Sequence, residues 1–228
     1  MTRQIAHTAL KAIDARIAAR GLLLHPFYQS WVEGTLPMPA LRDYAKQYYR
    51  HVAAFPTYLS AVHSHTEDAE TRRHILANLI DEEAGHPNHP ELWLRFAEGM
   101  GVDRDEVAAA APWEETERLV GTFQAICRER GTAEGLTALY AYESQIPAVA
   151  ESKIAGLKKF YGVTEPRTLA YFDVHIEADR EHAAVERELL ESHLSEENAS
   201  AAADAADEVL DALWEALSGV CRRHELPC

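Results

Sequence analysis

ALRDYAKQYYRHVAAFPTYLSAVHSH, residues 40–65, is the stretch whose reading decides the fold. Its apolar residues return every three or four positions, the spacing of one face of an α-helix, and no strict alternation competes. The pattern runs from about Pro39 to His65, with a kink expected at Pro56, which lacks an amide hydrogen. The same period extends outward in both directions. Upstream, residues 9–19 place Leu10, Ile13 and Ile17 on one stripe. Downstream, Thr66 is the expected cap of a helix over residues 69–84, whose first turn is acidic. Gly85-His86-Pro87-Asn88-His89-Pro90 then bends the chain before a helix over residues 91–99. Pro112 opens a helix to about Arg130, closed by Gly131. Thr132 caps a long one through Phe160, interrupted at Pro147. Pro166 suits the first turn of a helix reaching about Leu194, and an Ala-rich helix fills residues 197–223. No linker, low-complexity block or solenoid repeat divides residues 1–228, so one all-α domain of seven or eight helices is expected.

Composition narrows the function. The chain has 228 residues, 47% of them hydrophobic and 26% charged, which suits a packed globular core. No apolar run approaches the ~18 residues of a membrane span, and the opening residues have no signal-peptide core. A cytoplasmic protein is expected. A net charge of −15 argues against a nucleic-acid partner, which needs clustered positive charge. Cys127, Cys221 and Cys228 are too few and too scattered for a disulfide framework or a zinc knuckle. Twelve histidines in an acidic chain point towards metal.

Three clusters carry that chemistry. In YFDVHIEADREHA, residues 171–183, His175, Asp179 and His182 are related by four and three residues and lie within about 60° on a helix. Two imidazoles and a carboxylate on one stripe can ligate a first-row metal. Phe172, Ile176 and Val185 share much of that side, so the stripe faces inward in part, whereas Glu177 and Glu181 point elsewhere. A solvated polar stripe is the competing explanation. In DEEAGHPNH, residues 81–89, the spacing admits two pairs. Glu83-x-x-His86 copies the ferritin-like motif, and Glu82 with His89 spans two turns of a straight helix. Gly85 and Pro87 make a straight helix doubtful, so spacing alone leaves the choice open. Glu143, third, lies inside the apolar window 136–149, where a lone carboxylate is costly unless it meets a cation. The alternative is a salt bridge to Arg or Lys.

With these residues in hand, the chain resembles the family of the chlamydial protein associating with death domains and its bacterial relatives. These are haem-oxygenase-like di-metal oxidases that make 4-aminobenzoate for folate. The similarity rests on HPFYQSW (25–31), ALRDYAKQYYRHVAAFPTYLSAVHS (40–64), NLIDEEAGHPNHPELW (78–93), ALYAYESQIPAVAESKI (138–154) and YFDVHIEADREHA (171–183). It thins at the N-terminal residues and after about Leu190. It implies a bundle of about seven helices and six metal ligands, Glu82, His89, Glu143, His175, Asp179 and His182. It thereby favours Glu82 and His89 over Glu83 and His86. Three carboxylates against two divalent cations, two irons or iron with manganese, leave one positive charge and open positions for oxygen. The resemblance also implies a self-sacrificing reaction with O2 and an external reductant. Tyr28 is then the source of the aromatic ring, Lys153 the nitrogen donor and Tyr142 a redox participant.

The residues themselves say less about these three. Tyr28 alone reads as a core tyrosine. Lys153 lies ten residues beyond Glu143, roughly 15 Å along a straight helix, and reads as a surface lysine unless Pro147 bends the chain. Cys127, the position of interest in a thiaminase-like relative, reads as a half-buried helix residue, and His51, His63 and His65 as structural. The tail CRRHELPC lacks the chlamydial cysteine-rich character, so death-domain binding is not carried over; a homodimer is compatible with the sequence. Two rivals remain. One is a multi-turnover oxidase acting on a small external substrate. The other is a metal-free interaction module or a relative of the cofactorless quinone-cofactor synthase.

Overall fold

The computed structural model describes residues 2–227, and its regular structure there is helical throughout. The helices are α1 (Thr2–Ala19), α2 (Pro26–Glu33), α3 (Met38–His65), α4 (Ala69–Glu83), α5 (His89–Gly99) and α6 (Arg104–Ala109). They continue as α7 (Glu114–Glu129), α8 (Thr132–Glu143), α9 (Ile146–Phe160), α10 (Pro166–His193) and α11 (Ala199–Arg223). The described residues thus hold eleven α-helices where seven or eight are expected, without any change of fold class. Two are short, α2 and α6. Another arises because the helix expected over residues 132–160 breaks at Ser144–Gln145. Pro147 has no amide hydrogen to return to Glu143, so α8 closes there and α9 restarts with proline in its first turn.

Two caps differ from expectation. Asp68, not Thr66, caps α4 by accepting the Thr71 amide at 2.6 Å, while the Thr66 hydroxyl turns back to the Val62 carbonyl. Gly131 occupies the cap of α8, with Thr132 already helical. α3 runs through Pro56 without interruption. Among the described residues no helix is long and apolar enough to cross a membrane.

Helix α3 is the spine, packed against α4, α5 and α7; α10 crosses α5, α8 and α9, and α11 closes α1, α7 and α8. The core between them is rich in aromatics, with Phe27, Trp31, Tyr44, Tyr58, Trp93, Phe96 and Phe123 at most 1% exposed. Rings packed edge to face this way add to the burial energy of each side chain. One glycine sets the approach of α2 to α9. A Cβ on Gly156 of α9 would lie 2.6 Å from Trp31 Cδ1, so only glycine lets the two helices close. Trp31 Nε1 then donates to the Lys153 carbonyl at 3.3 Å, which ties Tyr28 and Lys153 to one corner of the core.

Candidate metal centre

Two groups of metal-ligating side chains form at the meeting of α4, α5, α8 and α10. The first joins Glu82, His89 and His175, and the second joins Glu143, Asp179 and His182. Within each group one donor atom per residue lies within 4.8 Å of the others. Local sequence explains the convergence. Helix α4 stops at Glu83, one residue past Glu82, and Asn88 caps α5 by accepting the Glu91 amide at 3.0 Å, which makes His89 the first residue of α5. The intervening turn folds His89 Nδ1 to 2.8 Å from Glu82 Oε2. Glu83 and His86 are exposed on the outside of that turn.

On α10 the stripe is as the spacing requires, with His175 and Asp179 buried and Glu177 and Glu181 exposed. The His175 Nδ1–H donates to the Tyr171 carbonyl at 2.5 Å, which leaves Nε2 as its lone-pair nitrogen; its ring lies 4.4 Å from that of His89. Glu143, the last residue of α8, meets no Arg or Lys. Asn78 Nδ2 donates to both its oxygens, at 3.0 and 3.2 Å, and His182 Nδ1 stands 3.6 Å away. Between the groups lies a cavity of about 10 Å³ lined by Glu82, Tyr142, Glu143, Tyr171, His175 and Asp179, among others.

The electrostatics of this cluster call for cations. Burial holds the Glu82 carboxyl above its ordinary range, and burial with the Glu143 and Glu82 charges raises Asp179 further. Glu186, buried one turn beyond His182, is raised by burial and by Glu143 beside it. Burial opposes ionisation of Glu143 too, but Glu186 and His182 beside it and the two hydrogen bonds from Asn78 outweigh it and lower its pKa. Among the described residues none of these four acids is ion-paired with Lys or Arg. His89 Nδ1, His182 Nδ1, Asp179 Oδ2 and Glu186 Oε2 are buried with no hydrogen-bond partner. Buried charges and unpartnered polar atoms are costly as they stand, and two divalent cations held by the six residues of the two groups would offset that cost. The donor set fits the group that the spacing and the resemblance suggest.

Beside the centre, α2, α3, α5, α9 and α10 enclose an aromatic box around Lys153. Its side chain is buried, not at the surface as the straight-helix reading has it. Nζ stands 5.4 Å from the centroid of the Tyr28 ring, 5.0 Å from Tyr44, 5.7 Å from Trp93 and 5.2 Å from Phe172. It donates to Tyr44 Oη at 2.7 Å, and the Tyr28 and Tyr44 hydroxyls are 3.3 Å apart. Burial pulls the amine down to about 7 and pushes the Tyr28 phenol well above its ordinary value. A file of phenols continues towards the centre. The Tyr44 and Tyr48 rings lie 5.1 Å apart, and Tyr48 Oη donates to Tyr142 Oη at 3.0 Å.

Cys127 is fully buried rather than half-buried, and burial pushes its thiol up to about 12, so it offers no nucleophile. His51 is likewise buried, ringed by Tyr48, Tyr58, Phe123 and Tyr142. Sequence reading misses Asn78, Asp81, Glu186, Tyr44 and Tyr48. Glu186 carries a spacing signal, four residues past His182 on the same stripe. Substitutions separate the two pairs that spacing left open. Glu82→Ala or His89→Ala is expected to lower metal content by about one ion per chain, whereas Glu83→Ala and His86→Ala leave it unchanged, as elemental analysis of the purified variants would read. The reverse pattern would restore the ferritin-like pairing.

Residues 42–214 match the model of a family described as iron-containing redox enzymes. A 4-aminobenzoate synthase of Chlamydia pneumoniae is 46% identical over 219 residues, covering 96% of this chain and 97% of that protein. Another of that name, from Nitrosomonas europaea, is 43% identical over 232 residues, covering 97% and 93%. In structure, a TenA homologue of Pseudomonas syringae superposes with a TM-score of 0.81 at 15% identity, over 95% of this chain and 92% of that one, a likeness of fold alone.

Proposed function

The chain belongs to the family of iron-containing redox enzymes, and we propose that it is an oxygen-dependent di-metal 4-aminobenzoate synthase that builds the product from its own Tyr28. Glu82, His89 and His175 would hold one cation; Glu143, Asp179 and His182 would hold the other. Bound there, the pair would supply the reduction of O2 with electrons from an external reductant. The observation that carries the reading is the aromatic box, because a buried amine and a buried phenol share one water-poor corner, 5.4 Å apart. The name shared by relatives 43–46% identical across nearly the whole chain supports the product.

The residues of the box have separable duties. Trp31, Trp93 and Phe172 exclude water from the Lys153 amine. At about 7 its pKa leaves a large share uncharged near neutral pH, with a lone pair to give. The Nζ–H bond to Tyr44 Oη aims the amine, and Tyr44 also holds the Tyr28 hydroxyl. Tyr28 becomes the product when its Cα–Cβ bond is cleaved and Cβ is oxidised to the carboxylate with O2 as the oxidant, and when nitrogen freed by breaking the Lys153 Cε–Nζ bond replaces the phenol oxygen, which leaves as water. Lys153 is the nitrogen source in this reading. Tyr48 and Tyr142 bridge the box to the cavity between the cation groups and are the route by which an electron and a proton leave the ring. A chain that consumes its own side chain turns over about once.

The test is purified protein given iron, reductant and O2 with no organic substrate. Expected are up to one 4-aminobenzoate per chain and, by peptide mass spectrometry, loss of the aromatic ring at position 28 with a mass change at Lys153. Product that appears only with an added small molecule would make the chain a multi-turnover oxidase instead. Loading should also depend on pH. Burial alone would lower His182, but Glu143 and Asp81 beside it hold it up to about 8. The imidazole must shed that proton to bind, so affinity at Glu143, Asp179 and His182 is expected to fall at least about tenfold per pH unit below 8. Metal content that stays constant at equilibrium down to pH 4.5 would contradict a centre half built from histidine.

A further inference from the structure

Five of the six residues in the two groups are buried; His182 is the most exposed of them, its side chain 13% exposed at the seam between α4 and α10. Its Nδ1 faces Glu143 Oε1 at 3.6 Å and Asp179 Oδ1 at 3.9 Å without a hydrogen-bond partner. Its Nε2 faces outward, 3.1 Å from Asp81 Oδ2. A carboxylate only accepts, so the Nε2 hydrogen is held on Asp81, and the proton shed on metal binding is the one at Nδ1, whose lone pair then faces the interior. The other two imidazoles are held differently. His175 is fixed by a carbonyl of its own helix, and His89 by its place at the start of α5 against Glu82. The orientation of His182 therefore depends on a neighbouring helix. One stretch of α4 serves the whole centre: Asn78 grips Glu143, Asp81 meets His182, and Glu82 enters the first group.

We propose that Asp81 is a positioning residue for the second cation: its hydrogen bond to His182 Nε2 fixes the ring so that Nδ1 points at Glu143 and Asp179. The inference rests on the di-metal reading. A histidine ligand whose outer N–H is held by a carboxylate is locked in tautomer and rotation, and removing such a partner commonly costs 10–100-fold in metal affinity. Glu181, an exposed acid lining the same groove from α10, is the natural comparison, because it adds the same charge without holding Nε2.

Titration of the metal-free chain with Co²⁺, followed by its visible absorption and by bound metal, tests this. The parent chain should take up two ions. Asp81→Ala should bind the first as the parent does and the second about 10–100-fold more weakly. Asp81→Asn should stay within a few-fold of the parent, because its amide oxygen still accepts the Nε2 hydrogen. Glu181→Ala should match the parent. Parent-like binding of the second ion by Asp81→Ala overturns the inference alone. So does an Asp81→Asn or a Glu181→Ala as weak as Asp81→Ala, since charge rather than the hydrogen bond would then be at work. A parent chain that binds no Co²⁺ overturns the di-metal reading and the inference with it. Asp81 is an exposed helix residue, so the alanine variant is expected to fold as the parent does.

Discussion

Tyr28→Phe is expected to bind both cations as the parent chain does and to make no detectable 4-aminobenzoate. The substitution removes one oxygen atom. The phenylalanine ring keeps its edge contact with Phe27 at 5.3 Å and its place beside Trp31 at 6.3 Å, so the packing of α2 is retained. What is lost is a single hydroxyl contact to Tyr44 at 3.3 Å, worth about 1 kcal/mol. Neither cation group touches that hydroxyl, so metal content should be unchanged. Chemistry at the ring changes completely. Without a phenol there is no hydroxyl hydrogen to lose when the ring is oxidised and no ring C–O bond to exchange for C–N. Chromatographic assay for 4-aminobenzoate, paired with metal analysis of the same sample, measures both halves. Normal product from Tyr28→Phe would end the self-sacrifice reading and favour an external substrate on the same centre.

How far the sequence discloses this site depends on whether partners share an element. His175, Asp179 and His182 are readable because one helix sets their spacing, and the fold keeps the stripe inward as its apolar neighbours require. Glu82 and His89 are harder. Their seven-residue separation suggests a pair on a straight helix, yet the helix ends at Glu83 and a turn brings them to 2.8 Å. Periodicity cannot express that geometry, and on periodicity alone Glu83 and His86 look as good. Glu143 is legible as a costly carboxylate in an apolar window, but its grip by Asn78 crosses 65 positions of chain, and the bond of Asp81 to His182 crosses 101. Contacts at such separations leave no local pattern. Lys153 shows the limit most plainly. Measured along its own helix it lies far from Glu143, while the box that buries it comes from residues as distant as Tyr28, Tyr44 and Trp93. The all-helical class survives every such error, because apolar period and the absence of alternation are properties of each segment by itself.

Lys153→Met is expected to stabilise the fold near neutral pH while abolishing product. An amine that ordinarily titrates at 10.5 titrates here at about 7, because burial disfavours its charged form. The folded state therefore resists protonating it by on the order of 5 kcal/mol. Proton counts set the sign. Between about 7 and 10.5 the unfolded chain holds this proton and the folded chain does not, so stability rises with pH across that window. Below 7 both states hold it and the whole cost is felt; above 10.5 neither does and the cost is gone. Methionine is about as long, carries no charge and suits an aromatic box, with sulfur against the rings in place of the ammonium. It forfeits the hydrogen bond to Tyr44, worth about 1 kcal/mol, which trims the gain without reversing it. Urea unfolding of the two metal-free chains at pH 7, 8.5 and 10 should show the variant ahead by a few kcal/mol at pH 7, with the gap closing as pH rises. A gap independent of pH would mean that the amine is not held neutral in the fold. Full yield of 4-aminobenzoate from the variant would mean that the nitrogen comes from elsewhere.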